Sequence, residues 1–92
     1  MSKLNLRRQH DLSQRQSKEL AEKLLGKLVN KFGGEISEKD SHFIYKHKMG
    51  VDAVVEPNDG EFVVDVKLGF LTRSLAPKLE SEMNKILDEH LG

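Results

Sequence analysis

The sequence predicts an α+β domain in the order β-α-β-β-β-β-α, an antiparallel sheet with two helices packed on one face. Three observations carry this reading. Between Gly50 and Leu71, apolar residues alternate in two runs separated by Pro57, Asn58, Asp59 and Gly60, the pattern of a β-hairpin. Ahead of the hairpin, Leu20, Leu24, Leu25, Leu28 and Phe32 recur at spacings of three and four with Ala21 and Val29 beside them, the stripe of an amphipathic helix. After it, Leu75, Leu79, Met83, Ile86, Leu87 and Leu91 repeat that spacing. The 92 residues make one domain, 1–92. A chain of this size buries roughly 60 to 65% of its unfolded surface and has no room for a deep interdomain cleft.

The elements follow in order. Leu4 and Leu6 alternate with Lys3, Asn5 and Arg7 over residues 3–10, a short strand at a sheet edge. Ser13 opens the first helix, with Gln16 three positions on to complete a capping box. Gly33 and Gly34 end it, because glycine takes a left-handed cap without penalty. Gly26 lies inside this helix, either for close approach to the sheet or by simple tolerance. Ile36 and Glu38 mark a short strand, a turn falls near Asp40, and Phe43, Tyr45 and His47 alternate on the next strand. For those three to share a face with Val51, Ala53 and Val55, the loop must be odd in length. Lys48, Met49 and Gly50 satisfy that, with Gly50 at positive φ. Gly69 then breaks the last strand, Ser74 caps the second helix and Pro77 falls in its first turn.

In the central hairpin, Val51, Ala53 and Val55 must look into the same core as Phe62, Val64, Val66 and Leu68. A turn centred on Asn58 and Asp59 sets Val55 against Phe62, Ala53 against Val64 and Val51 against Val66. On the outward face this register brings Asp52 opposite Asp65 and Glu56 opposite Glu61. Paired carboxylates can act as acid and base or hold a cation. The simpler reading is a wet surface relieved by Lys67 and neighbouring lysines.

Composition narrows the function further. Cysteine is absent, so there is neither a disulfide framework nor a thiolate metal site. With no signal-like or membrane-spanning apolar run, a cytoplasmic location is expected. Fifteen basic and fifteen acidic residues balance overall, but residues 1–31 carry a net +5 and the remainder −5. Arg7, Arg8 and Arg15 form a candidate basic patch. One tyrosine and no tryptophan leave few stacking platforms, which argues against nucleic acid. His42 and His47, five apart on one strand, face opposite ways, and no metal spacing or phosphate cradle is present. No cofactor or metal is implied. Ile44, Val54 and Val63 would lie together on the outward face, a candidate partner surface or homodimer contact.

The run Gly50, Val51, Asp52, then Val64 to Val66 and Leu68 to Leu71, followed by Leu75, Glu80, Glu82, Leu87 and Asp88, resembles the small polyhydroxyalkanoic acid system proteins. Arg8, His10 and Leu12 are similar to that family's opening. The resemblance implies a link to polyhydroxyalkanoate storage and brings no catalytic residues with it. By analogy of element order, the fold is similar to a reduced helix-grip domain. The expected function is a noncatalytic accessory protein that binds the storage granule or a granule protein. The alternative is a small carrier of a fatty or hydroxyacyl ligand between the sheet and the C-terminal helix, lined by Phe62, Val64, Leu79 and Met83. Those side chains are expected to fill that space themselves. An enzyme using Asp52 and Asp65 stands third.

Overall fold

The computed structural model of the protein describes residues 2–40, 42–70 and 72–91. Leu71, the last residue of the Leu68 to Leu71 stretch, lies outside them. The observed order is β1 (Ser2–Gln9), α1 (Gln14–Phe32), β2 (Glu35–Lys39), β3 (His42–His47), β4 (Val51–Asn58), β5 (Glu61–Leu68), a 3-10 turn (Arg73–Leu75) and α2 (Ala76–Leu91). This is the predicted α+β order. The strands form one antiparallel sheet, β1-β5-β4-β3-β2, so the first strand closes on the last and β1 and β2 are its edges.

Local signals explain most boundaries. The Ser13 hydroxyl accepts from the Gln16 amide at 3.2 Å, and the Gln16 side chain accepts from the Ser13 amide at 3.1 Å. These bonds satisfy two groups that a helix start otherwise leaves unpaired. At the other end Gly33, at φ 79°, returns its amide to the Val29 carbonyl. The turn of Lys48, Met49 and Gly50 is as expected, with Gly50 at φ 104° and His47 paired with Val51. The second helix starts differently from the expectation. Ser74 is not its cap; it lies within the 3-10 turn, which begins after Thr72 and runs into Ala76.

The β4–β5 register also differs, by two residues. Val55 faces Val64, Ala53 faces Val66 and Val51 faces Leu68, while Phe62 faces Pro57. The turn is Asp59 and Gly60, with Gly60 at φ 77°, the two-residue connection that favours glycine. Pro57 therefore belongs to the strand. It is tolerated there because, among the described residues, β3 accompanies β4 only as far as the Phe43 and Val55 pair, and none pairs with Pro57 on that side. On that side the Gln14 side chain donates to the Pro57 carbonyl at 3.0 Å.

Both helices pack on the inner face, α1 chiefly on β4 and α2 on β1. One continuous core joins Leu24, Leu25 and Leu28 of α1 with Phe43, Tyr45, Val55, Phe62, Val64 and Val66 of the sheet and Met83 and Leu87 of α2. Leu4 and Leu6 pack at its margin. No helix of the described residues is long and apolar enough to cross a membrane.

Candidate functional site

The outward face does not bring the acidic pairs together. With the turn at Asp59 and Gly60, Asp52 faces Lys67, and Asp65 lies between Val54 and Asn5, whose side-chain amide donates to it. Glu56 faces Val63, and Glu61 faces Asn58 and reaches Arg7 at 3.4 Å. The carboxylate dyad is an artefact of the shifted register. Successive strands instead place Glu35, Lys46, Asp52 and Lys67 side by side, a row of alternating charge.

Ile44 and Val54 are directly paired and half-buried, and Val63 lies diagonally beyond Val54 between Glu56 and Arg7. Val63 is only 4% exposed, so the three make a narrow strip bounded by charge. The three arginines are dispersed. Arg7 points outward with Glu61, and Arg15 pairs with Glu19 along α1. Arg8 points inward to Asp88 at 2.6 Å and Asn84 at 2.8 Å on α2. Of the candidate ligand-lining residues, Phe62, Val64 and Met83 are enclosed in the core, and Leu79 alone reaches an open space.

That space lies at the end of the domain where the β3–β4 turn meets the start of α2. It is an apolar groove of about 230 Å³ walled by Phe32, Tyr45, Met49, Val51, Leu75 and Leu79. The Gly69 amide donates to the Gly50 carbonyl at 2.8 Å, and the Thr72 hydroxyl donates to the same carbonyl at 3.1 Å. An added Cβ on either glycine would make ordinary contact across this crossing, so it is the φ of 104° at Gly50 that calls for glycine.

The polar side chains of Tyr45, His47 and Thr72 in the wall are already engaged, while Ser74, also in the wall, is exposed. His47 accepts the Met49 amide on Nδ1 at 3.0 Å, so its Nε2 is the protonated nitrogen and donates to the Phe32 carbonyl at 2.7 Å. The Tyr45 hydroxyl donates to the Gly33 carbonyl, and burial raises its phenol above the ordinary range. The groove consequently presents hydrocarbon to a ligand. Met49 in its wall is 52% exposed, and Phe70, two residues before the wall residue Thr72, is 76% exposed with the Arg73 guanidinium stacked 4.9 Å from its ring centre. Lys78 stands 5.9 Å over the Phe32 ring.

Sequence reasoning missed Met49 and Phe70. Each interrupts a periodic pattern, one in a turn and one just after the strand-breaking Gly69, and apolar residues in such places were the available signal. Among the described residues, no three His, Asp or Glu side chains are grouped so as to hold a metal ion.

The fold and site define a small one-sheet α+β domain with an apolar, cation-rimmed groove at one end. The chain belongs to the family described as "Putative polyhydroxyalkanoic acid system protein", whose match spans residues 4–91. Comparison with curated proteins gives no match.

Proposed function

We propose that this chain is a noncatalytic accessory protein of polyhydroxyalkanoate storage, acting in the cytoplasm at the granule surface. It binds the granule through the end of the domain that carries Met49 and Phe70. The observation that carries the reading is the exposure of Met49, in the wall of the apolar groove, and of Phe70, two residues before the wall residue Thr72, while most other large apolar side chains are taken up by the core. Apolar side chains ringed by basic ones suit a hydrophobic surface that bears negative charge. Family membership supplies the setting.

Co-sedimentation with granules tests it. The protein is expected to pellet with granules stripped of their own proteins. The Met49→Ser/Phe70→Ser double variant is expected to bind roughly tenfold or more weakly, from the apolar area it no longer buries. Pelleting only with unstripped granules would identify a granule protein as the partner. Full recovery in the supernatant from both preparations would overturn the reading.

A further inference from the structure

We infer that the groove binds a single aliphatic chain ending in a free carboxylate, of about the length of octanoate or its hydroxy derivative. This deepens the storage reading and rests on it for its setting, while the ligand class comes from the groove.

The volume of about 230 Å³ is room for roughly seven or eight groups at about 30 Å³ each, the share of a water molecule in the liquid. A longer chain would run past the open end of the groove into solvent. The hydrogen-bonding groups of Tyr45, His47 and Thr72 are engaged within the protein, and the remaining polar wall residue, Ser74, is exposed, so the inner wall offers no polar partner to a headgroup. A ligand must therefore place its apolar part inward and its polar part at the mouth.

The charge at the mouth selects the sign of that polar part. Lys78 covers the wall residue Phe32, Arg73 lies in the chain between the wall residues Thr72 and Ser74, and Lys48, between His47 and Met49, lines the neighbouring hollow that shares Phe32 and His47. None of the three forms an ion pair among the described residues, where Arg7, Arg8, Arg15, Lys18 and Lys31 each do. The first turn of α2, which opens beside the groove, carries no acidic residue. A carboxylate at the mouth gains Lys78 and Arg73, whose present partners are the ring faces of Phe32 and Phe70, without breaking an ion pair. The site also differs from the space between sheet and α2 expected from sequence, since Phe62, Val64 and Met83 are sealed in the core behind it.

Titration of the isotope-labelled protein with octanoate, octan-1-ol and acetate, followed by amide NMR, tests the inference. Octanoate is expected to bind saturably, with shifts centred on Tyr45, Met49, Thr72 and Leu75. Octanol is expected to bind about fivefold more weakly and acetate not measurably, since neither supplies both halves of the match. Arg73→Gln/Lys78→Gln is expected to weaken octanoate roughly fivefold and leave octanol unchanged. Met49→Glu, which puts a carboxylate at an exposed position on the mouth, is expected to weaken octanoate more than octanol. Equal affinity for octanoate and octanol, shifts centred elsewhere, or no effect of the two-cation variant would overturn it. The granule reading is separable. Sedimentation with granules by a protein that ignores octanoate leaves that reading standing, whereas octanoate binding by a protein that never sediments removes it and keeps the groove.

Discussion

The Tyr45 hydroxyl donates its hydrogen to the carbonyl of Gly33, tying the middle of β3 to the residue that caps α1. Its ring is buried in the core while Gly33 is exposed, so the bond is made at the core's edge. Tyr45→Phe leaves the Gly33 carbonyl without this donor and is expected to cost about 1 to 2 kcal/mol in urea unfolding at pH 7. The same residue sets an alkaline limit. Burial raises its phenol above 10.0, so folding favours the neutral form. That contribution is complete below the unfolded value and is lost as pH rises through the folded one. Urea midpoints measured upward from pH 9 are expected to fall faster in the wild type than in Tyr45→Phe.

Gly34 and Gly26 give opposite expectations for the same substitution. At Gly34, φ is 105° and an added Cβ would lie 2.8 Å from the Tyr45 ring and 2.9 Å from the Lys46 carbonyl oxygen. Gly34→Ala therefore meets both backbone strain and a collision with buried or backbone atoms, and is expected to destabilise by about 2 to 4 kcal/mol. At Gly26 nothing stands within 4 Å of an added Cβ, and the position is inside α1. Of the two explanations open from sequence, simple tolerance is the one that fits. Gly26→Ala is expected to stabilise by about 0.5 to 1 kcal/mol, seen as a higher thermal midpoint.

The contrast between the two hairpins explains what could be read from the sequence. Parity places Val51, Ala53 and Val55 on the inner face and Ile44 and Val54 on the outer, and the three-residue turn at Lys48 to Gly50 leaves one register for β3 and β4. For β4 and β5 parity is insufficient, because sliding one strand by two residues keeps every side chain on its own face. The choice then depends on whether Pro57 is strand or turn, and that depends on where β3 ends, a tertiary fact. The groove was less legible still. Its walls come from α1, β3, the β3–β4 turn, β4 and the start of α2, and no one of these segments carries a local signature of it.

The corrected register makes its own prediction. Asp52 stands between Lys46 and Lys67, and Lys67 faces Lys3 on β1, so Asp52→Lys puts four cations side by side and is expected to cost about 0.5 to 1 kcal/mol. Adding Lys67→Asp restores an opposite-charge pair and is expected to recover part of the loss. Had Asp52 faced Asp65, the single change would have exchanged the attraction to Lys46 for one to Asp65 and left stability nearly unchanged. Urea unfolding of both variants at low salt, where screening is least, separates the two registers by the size of the loss.

Lys31 and Glu82 join the last turn of α1 to α2, with Nζ 2.6 Å from Oε1. The hydrogen bond from the Lys31 ammonium holds the Glu82 carboxyl below its ordinary value of 4.5. A carboxylate with a depressed folded pKa contributes stability above its unfolded value and loses that contribution as pH falls through the folded one. The wild type is therefore expected to lose this contribution as pH falls from about 5, through the unfolded value and then the lower folded one. Glu82→Gln keeps the shape and removes the charge, so its stability curve should be flatter over that window and meet the wild-type curve at the acid end. Because both side chains are partly exposed, added salt should shrink the difference at neutral pH. A difference that survives at high salt would instead assign Glu82 a packing role between the two helices.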